Sequence, residues 1–390
     1  MAMAVAMLAA TSCSDADQPE AGQVLNVKGN VSGVWSRGSI VNVEGDIVVP
    51  EGQSLTIEEG VKVNVAGAVK VDGNLYCKGT EQNPIEINEP TAEPYSPAPA
   101  AAGTGARRSA WQGIKASATC GELLIEHTMI GGAGVEGAVV SYANADGRCV
   151  VDGSEIYGGT GGALAVNCAV AVVSGNKLID NGGNAITLSA AKADVDHNMI
   201  YGTAASTVRI AGGMARVYNN TLANAGWLAQ KAAVSAADGA RLGAFNNLLV
   251  NCNGRIEAGA GSDVDYNFYY TSQNDVDPSF MPAPAAGDGR RFDAHSVVAG
   301  GDDKGGNPDF VNYPFGSVAI GSGYYNPLWD MHLSLSSAAL SGAYVGPDAA
   351  LAPVLAGGVN VGGSVFASKA SNSWFGAYGP ERQTEVNSLP

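Results

Sequence analysis

Charge is scarce in this chain, and positive charge scarcest. Only 15% of its 390 residues are Asp, Glu, Lys or Arg, and 21 cations face 37 acids for a net charge of −16. A chain so short of Lys and Arg has no basic face for a polyphosphate backbone, which excludes nucleic-acid binding. The same balance opposes purely electrostatic capture of other polyanions unless a local basic cleft or Ca²⁺ intervenes. The six cysteines form no CxxC and join no His in zinc-site spacing. The last five (Cys77, Cys120, Cys149, Cys168, Cys252) read as small buried apolar residues, with a disulfide among Cys120, Cys149 and Cys168 left open. No internal run approaches 18 apolar residues, so the body has no membrane-spanning helix. Neither a phosphate-cradling G-K-[ST] loop nor a strand–GxGxxG–helix context occurs, so nucleotide binding has no support. The four His (127, 197, 295, 332) are scattered and define no Ser/His/Asp set by spacing.

What the chain does have is glycine, 53 residues of it, and a repeat. The segments VVSGNKLIDN, DVDHNMIYGT, RVYNNTLANA, GAFNNLLVNC and DVDYNFYYTS align on Asn176, Asn198, Asn220, Asn247 and Asn267, spaced 22, 22, 27 and 20 apart. Ser154 and Thr128 take the same column upstream. Three residues before it stand Ile125, Val151, Val173, Val195, Val217, Ala244 and Val264; two after it stand Ile130, Ile156, Leu178, Ile200, Leu222, Leu249 and Tyr269. These apolar columns alternate with polar ones, the period of a strand with one buried face. A second strand recurs around Val139, Leu164, Ile186, Val208, Val234 and Ile256, with glycines supplying corners before several of them. Each rung therefore contributes at least two short strands, and stacked rungs pair them in register. This predicts an all-β parallel solenoid. Asn at a bend bonds nearby backbone and tolerates unusual φ, so Thr128, Ser154, Asn176, Asn198, Asn220, Asn247 and Asn267 are expected to form a structural ladder, not a ligand site.

The chain resembles the right-handed parallel β-helix superfamily, the pectin-lyase-like fold. Gly45 to Ile87 is similar to the opening rungs of bacterial surface members, and Trp111-Gln112-Gly113-Ile114 to their WxGI element. Asn307 to Val311, Met331-His332-Leu333, Ser336 to Gly342 and Phe375 to Tyr378 resemble their closing pattern. The resemblance spans residues 24 to 382 and implies a right-handed helix, in agreement with the handedness of parallel crossovers. At the start, the apolar Met1 to Ser12 precedes Cys13, and Ala10-Thr11-Ser12-Cys13 resembles a bacterial lipobox with Ala10 where Leu is usual. The acidic stretch that follows resembles the export signal of Bacteroidetes surface lipoproteins. That resemblance implies lipidation at Cys13 and a surface-exposed, lipid-anchored location on a bacterial outer membrane.

The expected organisation is signal peptide and tether over 1–23, first rungs over 24–88 and a Pro/Ala-rich inserted loop over 89–110. Regular rungs follow over 111–274, an irregular loop over 275–306, and closing rungs with a C-terminal cap over 307–390.

Enzymes of the resembled fold cleave acidic polysaccharides. Its lyases use Ca²⁺ on an acidic cluster with an Arg or Lys base, and its hydrolases use clustered Asp. Two outward columns of this chain carry comparable residues: Glu126, Asp152, Ser174, Asp196, Tyr218, Phe245 and Asp265 in one, Asp194, Arg216 and Asp263 in the other. Asp194, Asp196 and Arg216 are the candidate catalytic residues, with Asp194 and Arg216 stacked one rung apart. The RxPxxR, GHG and RIK elements of the family's enzymes are absent, and Gly131 to Glu136 matches the GGxGxD calcium repeat once only, with Glu for Asp. Tyr266, Phe268, Tyr269, Tyr270, Trp227, Tyr324, Tyr325 and Trp329 offer a carbohydrate-stacking surface or core packing. The leading expectation is a non-enzymatic surface lipoprotein, structural, adhesive or glycan-binding, with a polysaccharide or surface protein as partner. The alternatives are a polysaccharide lyase or glycoside hydrolase, and an accessory subunit of an outer-membrane complex. No cofactor is expected beyond Ca²⁺, which stays open; no metal ligands are assigned.

Overall fold

In a computed structural model, residues 22–90, 111–272, 293–300, 306–315, 317–318 and 325–380 are described. They form an all-β parallel solenoid of about 10 turns. Cys13, the interior of the 89–110 loop and all of 275–292 lie outside the described residues.

Each full rung supplies three strands, one more than the two legible in the repeat. The first sheet runs from Val24–Asn30 through Ile40–Val49, Lys62–Val65 and Ile85–Asn88 to Thr128–Ile130, and on to Phe268–Thr271 and Val297–Gly300. The second contains Ala68–Val71, Gly113–Ala116 and Ala138–Tyr142. The third contains Ser54–Glu58, Asn74–Lys78, Glu122–Glu126 and Arg148–Asp152. In the middle rungs the second and third strands fuse into single bent strands, Gly162–Ser174, Ile186–Asp196 and Val208–Tyr218. In the sequence the third and first strands flank the Asn column as one periodic stretch, and the second strand forms the other.

The interior follows from the stacking. Val151, Val173, Val195 and Val217 are fully buried and pair in register from rung to rung. Each buried Val contributes about 1.5–3 kcal/mol. The five described cysteines are free thiols, four of them buried. Large aromatics stand in the interior too, among them Trp111 and Tyr142 in the middle rungs. Trp35 is buried in the first turn. Tyr269, near the last, lies under the Arg255 guanidinium at 4.8 Å and donates its hydroxyl to Asp293 at 2.8 Å.

The Asn column is fully buried at the corner between the third and first sheets. Asn198 Oδ1 accepts from both the backbone N–H and the side-chain amide of Asn176 at 2.9 Å, while Asn198 Nδ2 donates to Val173 O and Asn220 Oδ1, each at 2.9 Å. Ser154 Oγ accepts from Thr128 N at 3.0 Å, and Ser154 N donates to Asn176 Oδ1 at 2.9 Å. The left-handed backbone belongs to the residue before this column: His127, Gly153, Gly175, His197, Asn219, Asn246 and Tyr266 all have positive φ. A second, outward ladder links Asn26, Asn42 and Asn64 at 3.0 and 2.9 Å.

The largest departure from expectation is residues 306–380. Among the described residues they add no strand to the main sheet. Their strands form two separate antiparallel pairs, Phe310–Asn312 with Asp330–Leu333 and Val359–Val361 with Ser364–Phe366. This segment, the strap, lies along the flank of the solenoid. The cause is the rungs' outward residues, which are apolar here and need cover. Leu124, Val150 and Val172 pack against Leu355, Val359 and Val361. Tyr218 and Phe245 stack at 4.9 Å and pack on Leu351. Ile179, Met199, Tyr201, Leu248 and Phe268 pack against Phe310, Tyr313, Tyr325, Met331 and Phe375. The supposed irregular stretch also holds a rung strand, Val297–Gly300.

Candidate functional site

The two outward columns of the third sheet are the strap's docking track. Asp194 is fully buried. Its carboxylate accepts from Val354 N at 3.1 Å, Leu355 N at 2.8 Å and Ser368 Oγ at 2.6 Å. Burial pushes this carboxyl above the usual carboxylate range against the pull of those three donors. Asp196, also fully buried, accepts from Ser174 Oγ at 2.8 Å and lies 2.8 Å from His197 Nδ1. His197 Nε2 in turn lies 2.9 Å from the Asn372 side-chain amide of the strap. Arg216 is the register partner of Asp194 on the next rung, and its guanidinium donates to Ala349 O at 3.4 Å. The structure thus brings Asp194, Asp196 and Arg216 onto neighbouring rungs, with strap residues seated on them. Each is engaged in holding the strap or an adjacent rung.

The left-handed column supplies further grips. Asn219 Oδ1 accepts from Asn372 N at 3.1 Å and Nδ2 donates to Trp374 O at 2.8 Å. The Asn246 side chain matches both backbone polar groups of Tyr344: Nδ2 donates to Tyr344 O at 2.8 Å and Oδ1 accepts from Tyr344 N at 2.7 Å, while the Asn246 carbonyl accepts from Gly376 N at 2.9 Å. Farther up, Lys78 Nζ donates to Gly362 O at 2.7 Å and Glu122 accepts from Gly362 N at 3.0 Å. None of these roles was read from the sequence. The available signal was the doublets Asn219-Asn220 and Asn246-Asn247, together with apolar residues in columns that face outward.

One part of the acidic strip lies beside the strap, not beneath it. Glu126 and Asp152 are register partners on adjacent rungs. Burial holds both above the usual carboxylate range; repulsion from Asp152 adds to it at Glu126 and repulsion from Asp196 at Asp152, while His127 opposes it at both, Lys78 at Glu126 and Lys369 at Asp152. Lys369 Nζ approaches Asp152 at 3.9 Å. On the same corner a depression of about 160 Å³ is lined by His127, Met129, Gly153, Glu155, Thr80 and Glu81. It is smaller than the roughly 300–1,000 Å³ of ordinary ligand sites. Among the described residues no group of three His, Cys, Asp or Glu converges as a metal site, and no helix is long and apolar enough to cross a membrane.

The aromatic residues sort into packing. Phe268, Tyr269 and Tyr325 are buried. Tyr266 is sandwiched, stacked on His295 at 4.7 Å and tilted against Tyr344 at 5.0 Å. Asp265, fully buried, holds His295 through Nδ1 at 2.7 Å and its backbone N–H at 2.6 Å. This unit ties the last rung to the strap and leaves no open aromatic face on Tyr266. Tyr324 lies outside the described residues.

No protein-family model, no curated protein and no solved structure matches this chain.

Proposed function

We propose that this chain is a cell-surface β-helix lipoprotein that acts as a rigid structural, adhesive or glycan-binding module with no catalytic centre. The observation that carries this reading is the occupation of the acidic strip by the chain's own strap. Asp194 spends its carboxylate on three strap donors. That carboxylate is fully buried beneath the strap, closed to the sugar ring and the water that glycosidic chemistry requires. Cys13 is the anchoring residue in this proposal, placing the solenoid on a bacterial outer membrane of the Bacteroidetes type with a polysaccharide or surface protein as partner. The test is a lyase and reducing-end assay across a polysaccharide panel, with and without Ca²⁺, alongside a glycan array. Binding without product is the expected result; product formation overturns the reading. For the anchor, Cys13→Ala should release the protein from the membrane fraction, and unchanged membrane association contradicts it.

A second reading, a polysaccharide lyase or glycoside hydrolase, is favoured by the Glu126–Asp152 pair. Two neighbouring carboxyls held high, beside His127 and a shallow depression, are the groups an acid/base reaction uses. If the panel yields product, Glu126→Gln and Asp152→Asn should each abolish it.

A further inference from the structure

The first strand, Val24–Asn30, is an edge among the described residues: Ile40–Val49 is the strand it pairs with there. The carbonyl of Gln23 accepts from Ile40 N at 2.8 Å. Strand alternation therefore turns the N–H and C=O groups of Val24, Asn26 and Lys28 the other way. Those three residues are exposed, Val24 to 62%. An edge with unpaired backbone groups is a template for another strand.

Three details state what that strand must be. First, the segments Leu25-Asn26-Val27, Val41-Asn42-Val43 and Val63-Asn64-Val65 repeat one pattern, and the latter two are paired on both sides. Second, the outward Asn ladder has a direction. Asn64 Nδ2 donates to Asn42 Oδ1, and Asn42 Nδ2 donates to Asn26 Oδ1. Asn26 Nδ2 is therefore the donor left at the open end, and it needs an acceptor side chain on the incoming strand. Third, Lys28 lies two residues beyond Asn26 and forms no ion pair among the described residues. An acid two residues after the partner's acceptor would face it.

We propose that the free edge of Val24–Asn30 is a docking site for an extended peptide segment that lies parallel to it and carries an apolar–Asn–apolar–acidic pattern. Strand addition of this kind draws affinity from main-chain bonds and specificity from alternate side chains. A second copy of the same strand does not fit. Two-fold pairing makes the strands antiparallel, which breaks the ladder's direction, and the two copies would bring two Lys28 charges with no acid in Val24–Asn30 to match them. The proposal is independent of whether the solenoid binds glycans.

The chain itself supplies the probe. A peptide of the sequence Ile40–Val49 has Asn42 followed two residues later by Glu44. Titrated into the full-length protein, it should bind one to one and slow amide exchange at Val24, Asn26 and Lys28. The peptide with Asn42→Leu should bind about tenfold more weakly. Amides already protected without peptide would mean that the edge is covered by its own chain and would overturn the proposal. So would protection that rises with protein concentration, which signals a second copy, absence of binding, or equal binding of the Leu peptide.

Discussion

The side chain of Asn246 pairs with both backbone polar groups of Tyr344, donating from Nδ2 at 2.8 Å and accepting at Oδ1 at 2.7 Å, although 98 residues separate them. A corner asparagine in the left-handed region, at φ 56°, here does the work of a neighbouring strand. The strap adheres to the solenoid through such side chain-to-backbone bonds and through apolar contacts, with no shared ladder.

Replacing Asn246 separates the two jobs it does. Asn246→Gly keeps the left-handed backbone and loses the amide, at a cost of about 2 kcal/mol for two orphaned Tyr344 groups. Asn246→Ala adds backbone strain of about 1 kcal/mol. Denaturant unfolding should therefore rank wild type above Gly above Ala.

Asp194→Ala leaves two backbone N–H groups and a serine hydroxyl without an acceptor in a buried site. The expected loss is about 3 kcal/mol, read as a lowered midpoint of thermal or urea unfolding. Loss of less than about 0.5 kcal/mol would show that the strap does not rest on this carboxylate.

Asn198 bonds the rung before it and the rung after it. Asn198→Ala removes an acceptor used twice and two donors, so it should cost at least about 3 kcal/mol by the same unfolding measurement. An Asn on the exposed ladder, Asn26, should cost about 1 kcal/mol or less when replaced by Ala.

Stability should rise on mild acidification. Asp152, Asp194, Asp293 and Glu126 are held above their ordinary values, chiefly by burial. The folded state then binds protons that the unfolded chain has already lost. That contribution is complete below the unfolded pKa and disappears as pH rises through the raised folded values. Asp46 and Asp309 act oppositely. A hydrogen bond from Lys70 lowers the first and bonds from Ser334 and Ser336 lower the second, so their contributions fail only as pH falls below the ordinary value of 3.8. Melting temperature should climb as pH falls through the raised folded values, before falling in stronger acid. Asp194→Asn should flatten the climb. A melting temperature that falls steadily from neutral pH contradicts the assignment.

The rungs were legible because burial in a solenoid is periodic. Ile125, Val151, Val173, Val195 and Val217 recur at one offset from the Asn column and all lie inside. Two features were harder to read. The third and first strands meet at the Asn column with almost no gap, as Arg148–Asp152 and Glu155–Tyr157 do, so they read as one stretch. The strap has no period, and its partners are fixed by contacts across roughly 100 to 280 residues, such as Gly362 with Lys78. Tyr218 and Phe245, standing in an otherwise polar outward column, were its trace. Asp194, Asp196 and Arg216 stand out in the sequence for the same reason that the strap meets them: polar groups in an outward column meet whatever covers it.

The central claim is that the strap stays seated on the acidic strip. Native-state hydrogen exchange at the amides of Val354 and Leu355, which donate to Asp194, addresses it directly. The account predicts protection close to that of rung strands such as Ile186–Asp196, lost together with them on unfolding. Exchange at these two amides at the rate of an unstructured peptide would contradict it.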